Sequence, residues 1–238
     1  MNSDCKYYNT VDENFEKAIN LYEKNLEYDD LISLLESEKV VDKQIAVLRL
    51  NTIKSEKDAQ ILVSNLTGQD GKVREAVSFK LNEFMADNEL VKYFQDPANF
   101  ETFFNATLDI NGNICRNTIL AISNIKNNHD FAVSFCKILV ETIYKLLDNI
   151  EKFDLQEGKY KVNKEIFKLY WCLEDMYEFI DFININDVKS ILSRTKCINE
   201  YTIREKTAKI LTKNFSDNVL LKIKEELKQD KNYYVKRY

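Results

Sequence analysis

Turn-forming residues are almost absent from this chain, and their scarcity limits its fold more than any other feature. Among 238 residues there are 4 glycines and 1 proline. β-Sandwiches and α/β domains of this length need many tight turns, where these two residues supply the backbone conformations. Helices joined by short polar turns need far fewer, and 45% hydrophobic residues can form a continuous core. We therefore expect an all-α protein.

Apolar residues recur at helical spacing along most of the chain, which supports this expectation. The first predicted helix carries Phe15, Ile19, Tyr22 and Leu26, with Asp12 as its N-cap. After a short helix at 31–35, the pattern predicts a helix over 41–53, then one capped by Ser55, and a long one over 130–153. The residues expected to face the core in the helices over 41–53 and 130–153 are Ile45, Leu48, Leu50, Phe131, Phe135, Leu139, Ile143, Leu146 and Ile150.

One short pattern repeats. An aspartate in a turn, Asp70, precedes Val73 and Arg74, which open an apolar helix, and similar frames recur. Their anchor residues are at positions 42, 73, 114, 162, 203 and 235. This pattern resembles HEAT repeats, in which a turn aspartate caps the second helix of a pair and Val-Arg opens that helix. The uneven spacing also suits HEAT-like arrays better than the stricter ankyrin and TPR periods.

The resemblance covers roughly residues 28–238 and implies a right-handed α-solenoid of about five to six HEAT-like helix pairs. Residues 1–27 are then a tail and a capping helix, and the last repeat is expected to be incomplete, because the chain stops at Tyr238. In HEAT repeats the matching arginine commonly pairs with turn aspartates and ties adjacent repeats together. The resemblance therefore implies a structural ladder of Asp70, Arg74 and Arg204, with Asp70 as a natural acceptor.

The fourth repeat departs from the pattern, since Asn163 follows Val162 where the family has arginine. If one helix stripe faces inward there, Phe167 and Trp171 lie side by side on a neighbouring stripe. With Glu174 and Glu178 as an acidic rim, they would form a hydrophobic anchor for a partner. The alternative is that both rings are buried against the preceding long helix. The predicted inward stripe consists of Val162, Ile166, Tyr170, Leu173 and Tyr177.

Catalytic and metal-binding patterns are missing from the sequence. Its single imidazole, His129, lies in a polar junction that is typical of a helix start, and its 5 cysteines include no CxxC pair. There is also no glycine-rich phosphate loop, and the acidic cluster around Glu174 suits a solvated face as well as acid–base chemistry. We therefore predict neither a catalytic site nor a cofactor nor a metal.

The remaining expectation is a protein-interaction scaffold that binds a protein or peptide on the solenoid surface. A net charge of -5 disfavours a nucleic-acid partner. No apolar run is long enough to span a membrane, and unpaired cysteines with no signal-like segment favour a cytoplasmic protein. Two alternatives stay open: an enzyme resembling HEAT-like DNA glycosylases or bilin lyases, or a structural subunit of a larger assembly.

Overall fold

The computed structural model describes residues 15–152 and 159–238, and every regular element within these ranges is helical. The all-α prediction is therefore confirmed, whereas the predicted cap Asp12 and the side chain of Val162 lie outside what is described. We number the helices α1 (15–23), α2 (Tyr28–Leu35), α3 (Val40–Arg49), α4 (Glu56–Ser64), α5 (Gly71–Met85), α6 (Phe100–Thr107), α7 (Gly112–Ser123), α8 (His129–Lys152), α9 (Lys159–Glu178), α10 (Ile185–Thr195), α11 (Tyr201–Ile210), α12 (Asn218–Lys228) and α13 (Tyr233–Lys236). Short 3₁₀ turns occupy Val91–Phe94, Pro97–Asn99 and Ile180–Phe182.

Side chains begin several of these helices as the sequence predicts. The hydroxyl of Ser55 accepts a hydrogen bond from the Asp58 backbone N–H (3.2 Å), and the carboxylate of Asp70 accepts one from Lys72 N–H (2.9 Å). Such caps satisfy amide groups that have no partner inside the helix. α8 begins at His129, so the histidine is the helix start that its sequence context predicted.

The described residues up to Asn124, 15–124, form one compact unit, which we call unit 1. Consecutive helices pair, α2 with α3, α4 with α5 and α6 with α7. The second helices of these pairs pack on one another in the order α3, α5, α7, and the first helices pack in the order α2, α4, α6. Each pair therefore buries its apolar faces against its neighbours, as repeat folds require.

The described residues from Ile125 onward, 125–152 and 159–238, form unit 2, which repeats this plan. α8 pairs with α9, α10 with α11 and α12 with α13, while α9, α11 and α13 form the layer of second helices. The described part of the chain thus contains six helix pairs, within the predicted five to six. The handedness of the superhelix stays a prediction.

The core positions of the second helices follow a common spacing. In α5, Val73, Val77 and Leu81 are fully buried, at 0, 4 and 8 residues from the anchor. At the same offsets in the frame of α11, Ile203 and Thr207 are fully buried and Leu211 is almost fully buried. The anchors at 73 and 203 therefore mark the same place in two helix pairs, one in each unit.

α9 has this spacing too, but it starts later than the sequence suggested. Cys172, Leu173 and Met176 are fully buried. They lie 4, 5 and 8 residues after Lys168, so the frame begins at Lys168 rather than six positions earlier at Val162. The predicted inward stripe was consequently set on the wrong side of the helix: Leu173 is buried, but Ile166, Tyr170 and Tyr177 are only half-buried.

Most other predicted core residues are buried, and Leu48 is the clear exception. Its side chain is 62% exposed, although Ala46, Val47 and Leu50 around it are fully buried. The helix ends at Arg49, so Leu50 returns to the core in an extended conformation while Leu48 points away. In α8 the predicted stripe is buried from Phe131 to Leu146, with Ile150 half-buried.

Two arginines connect the turns of adjacent helix pairs. Arg74 donates to both carboxylate oxygens of Asp109 (2.7 and 3.2 Å) and to the carbonyl of Gln69. Asp109 belongs to the turn before α7, so the acceptor lies one pair further along than Asp70, which is used as the cap of α5. The acceptor of Arg74 is therefore Asp109 rather than the expected Asp70, and the structural role of these arginines stays a prediction. The hydrogen bonds to Asp109 are the main cause that raises the pKa of Arg74.

Arg204 repeats this arrangement in unit 2. It donates to both oxygens of Asp230 (2.7 and 3.2 Å) and to the carbonyls of Ile198 (2.8 Å) and Asn199 (2.7 Å). The hydrogen bond from Arg204 lowers the pKa of Asp230 below its ordinary value. In both units the aspartate also accepts the backbone N–H of an asparagine two residues later, which in turn caps the next helix. These asparagines are Asn111 and Asn232.

Candidate binding site

The aromatic anchor predicted on α9 is only partly exposed. Trp171 is 7% exposed and packs edge-on against Tyr170, with ring centroids 5.1 Å apart, whereas Phe167 is 37% exposed. Of the two alternatives left open by the sequence, the buried one therefore holds for Trp171, whereas Phe167 stays partly exposed. Because α9 packs between α8 and α11, a side chain as large as indole on this face is covered by its neighbours.

The predicted acidic rim is also occupied. The Glu174 carboxylate accepts hydrogen bonds from the ammonium groups of Lys206 and Lys209 on α11, the latter at 2.6 Å. Glu174 is therefore neutralised within unit 2 rather than offered to a partner. Glu178, one turn further along, is half-buried. A partner-binding role for Phe167, Trp171, Glu174 and Glu178 stays a prediction.

The same lysines cover the two tyrosines that were expected in the core. Lys206 lies over the ring of Tyr170 (4.4 Å to the centroid), and Lys209 and Lys213 lie over the ring of Tyr177 (4.4 and 4.0 Å). Cation–π contacts of this kind hold a lysine stem along an aromatic face. We call this surface of α9 and α11 the closed face, because its charges and rings pair with one another.

Unit 1 has a different surface at the corresponding place. Leu48 of α3 is 62% exposed, Phe79 of α5 is 59% exposed and Leu120 of α7 is 44% exposed. Each lies six residues after its anchor, at Asp42, Val73 and Ile114. These three side chains therefore form an apolar row across three packed second helices.

Two members of the row, Leu48 and Phe79, border a depression of ≈ 490 Å³. We call it the α3–α5–α7 groove, and its other lining residues are Gln44, Lys72, Glu75, Ala76, Asn113, Arg116 and Asn117. Its walls thus combine apolar side chains with primary amides and charged groups. Pockets that bind ligands commonly have this mixture, in which a few polar groups fix orientation.

Comparison with known proteins supports the fold. No family model matches the chain, and no curated protein is similar enough to be matched. An engineered protein solved by the Northeast Structural Genomics Consortium is 16% identical over 89% of this chain and 95% of its own, with a TM-score of 0.51. A designed armadillo repeat protein is 15% identical over 89% of this chain and 96% of its own, with a TM-score of 0.46.

The fold is an all-helical repeat of HEAT-like helix pairs. The packing of the helix pairs within each unit carries that conclusion, the first of these likenesses agrees with it at the level of the fold alone, and no individual family is identified. The predicted resemblance to HEAT repeats is confirmed at this level.

The groove could not be recognised from the spacing within single helices. Leu48 was expected in the core and Phe79 had no expected role, because both lie among apolar neighbours at nearly helical spacing. The available signal was their common offset: an apolar residue recurs six positions after three successive anchors. The position six residues after the anchor lies on the side of the helix opposite the buried residues. Its side chain therefore faces away from the first helices.

Two kinds of site are absent from the described residues. Residues 15–152 and 159–238 contain no group of three potential metal-ligating side chains. Within the same ranges no helix has the length and apolar composition needed to cross a membrane.

Proposed function

We propose that this chain is a binding scaffold whose α3–α5–α7 groove holds a segment of a partner protein. The observation that carries the proposal is the apolar row, in which Leu48, Phe79 and Leu120 stay exposed at one repeated offset. A single exposed apolar side chain is ordinary on a protein surface, but a row across three packed helices is typical of an interaction surface.

The dimensions of the groove favour an extended segment. An α-helix with its side chains is about 10–12 Å wide. The groove holds ≈ 490 Å³, which suits a single extended strand of peptide better than a helix. The amides of Gln44, Asn113 and Asn117 can donate to and accept from the backbone of such a strand.

The test compares capture of cellular proteins by the wild type, by Leu48→Ser/Phe79→Ser and by Leu221→Ser. Leu221 is an exposed apolar residue on α12, so its substitution controls for the loss of any surface leucine. We expect the wild type and Leu221→Ser to recover the same protein and the groove variant to lose it. Circular dichroism checks that all three chains are folded. Equal recovery by all three would overturn the proposal.

A further inference from the structure

The charged side chains that line the α3–α5–α7 groove are two cations and one carboxylate, so that their net charge is positive. Lys72 and Arg116 line it, both are exposed, and neither forms an ion pair within the described part of the chain. The acidic residue beside them, Glu75, accepts a hydrogen bond from the side-chain amide of Asn113 (2.8 Å). The groove therefore presents two unpaired cations next to its apolar row.

A second depression, of ≈ 470 Å³, continues this surface toward the start of α3 and α5. It shares Gln44 and Lys72 with the groove, and Lys39, which precedes α3 as its N-cap residue, adds a further cation without an ion pair among the described residues. Two more charged residues line it: Lys17 pairs with Asp42, and Asp70 caps α5 but keeps its negative charge. The cations of the two depressions therefore outnumber their unpaired carboxylates, Glu75 and Asp70. The N-termini of two helices, of 10 and 15 residues, add partial positive charge here.

We infer that the partner segment is acidic as well as apolar: its apolar side chains contact the row and its carboxylates lie against Lys39, Lys72 and Arg116. This inference rests on the function proposed above and specifies the chemistry of the partner. A single-stranded nucleic acid would also meet the cations and can stack a base on Phe79, but Leu48 and Leu120 are aliphatic and give its other bases no ring to stack on. Charge and apolar surface together favour a peptide.

The geometry also sets a spacing. Lys72 and Phe79 are seven residues apart on α5, and at about 1.5 Å per residue they are separated by roughly 10 Å along the helix. An extended peptide covers that distance in about three residues. The recognised segment therefore carries an aspartate or glutamate three positions from a large apolar residue.

The first experiment selects random 12-residue peptides displayed on phage against the intact chain, with counter-selection on Phe79→Ser. We expect the peptides that require Phe79 to be enriched in acidic residues three positions from an apolar one. Enrichment of basic or uncharged peptides that still require Phe79 would overturn this inference and leave the proposed function standing. Failure to enrich any peptide that depends on Phe79 would count against both.

The second experiment measures the affinity of one selected peptide by fluorescence anisotropy. Lys72→Glu and Arg116→Glu should each weaken binding at least tenfold, and raising the salt concentration should weaken binding to the wild type. Lys57→Glu is the matched control, since Lys57 is exposed and is the second residue of α4 as Lys72 is of α5. It should leave the affinity unchanged.

Equal weakening by Lys57→Glu and Lys72→Glu would overturn a specific role for the groove cations, because the net charge would then explain the effect. A 12-nucleotide oligouridylate serves as the competing probe. If the oligouridylate binds the wild type, if both Lys72→Glu and Phe79→Ser abolish that binding, and if Lys72→Glu leaves the affinity of the selected peptide unchanged, the acidic-peptide inference is overturned in favour of a nucleic acid.

Discussion

The two units use the same helix-pair frame but treat one position of it in opposite ways. Six residues after the anchor, unit 1 has the exposed apolar row of Leu48, Phe79 and Leu120. At the same offset from Lys168 and Ile203, unit 2 has Glu174 and Lys209, which form an ion pair with each other. The helix-pair backbone therefore does not determine whether the surface of the second helices is exposed and apolar or covered by ion pairs. The side chain six residues after the anchor determines it.

The largest effect should come from exchanging an aromatic residue of each surface for alanine. Trp171→Ala removes a nearly buried side chain from unit 2 and should lower the free energy of unfolding by about 3–5 kcal/mol. Phe79→Ala removes a mostly exposed ring from unit 1 and should change it by about 0.5 kcal/mol or less. Urea denaturation followed by circular dichroism measures both. Similar losses of unfolding free energy in the two variants would contradict the difference between the exposed surface of unit 1 and the closed face of unit 2.

A second prediction tests what the units share. If the two arginine–aspartate contacts contribute equally to stability, Arg74→Ala and Arg204→Ala should each lower the free energy of unfolding by about 3 kcal/mol. Each substitution leaves a largely buried aspartate without its arginine. Arg194→Ala is the control. Its partners Asp148 and Glu151 are largely exposed, so these ion pairs should contribute about 1 kcal/mol or less to the free energy of unfolding. A ladder variant no less stable than the control would show that the common frame does not depend on these contacts.

A third prediction concerns the stability that the closed face gains from its central carboxylate, Glu174. Glu174→Gln keeps the shape of the side chain but leaves Lys206 and Lys209 without their shared anion. We expect a loss of about 1 kcal/mol that shrinks as salt is added, because salt screens the repulsion between the lysines. Glu75→Gln in unit 1, where the carboxylate accepts from an amide, should cost less and respond little to salt. Unfolding curves at several salt concentrations measure both losses. An equal salt dependence of the unfolding free energy in Glu174→Gln and Glu75→Gln would contradict this explanation.

The smallest effect predicted is one of pH. Since Arg204 lowers the pKa of Asp230 below 3.8, the charged carboxylate stabilises the folded chain above that value, and this contribution is lost as the pH falls through the lower, folded-state pKa. The difference in unfolding free energy between the wild type and Asp230→Asn should therefore be constant near neutral pH and decrease in acid. A difference that stays constant down to pH 3 would show that the charge of Asp230 does not contribute.

Much of the fold could be predicted from the sequence, since turn residues, caps and helical spacing are local signals. Asp70 and Ser55 were assigned as caps correctly, and the frames at Val73 and Ile203 were found because valine or isoleucine followed by arginine recurs there. The acceptor of Arg74 could not be found in this way. Asp109 lies 35 residues further along the chain, and only packing of α5 on α7 brings the two together.

The candidate site was harder to predict for the same reason. Whether an apolar residue such as Leu48 or Trp171 is covered depends on neighbouring helices, which the spacing within one helix does not describe. On α9 the extra turns before Lys168 also shifted the frame, so that the stripe chosen from the sequence was rotated toward Tyr170 and Tyr177.

The double use of Asp109 and Asp230 determines how such a chain can be cut and recombined. Each aspartate serves the arginine of the preceding pair and the backbone of the turn that follows. A segment excised at the end of α6 would keep Arg74 and lose its acceptor, whereas one extended through Asn111 would carry the complete contact. The natural exchangeable module of this protein is therefore offset from its helix pairs. It ends inside the turn, after the asparagine.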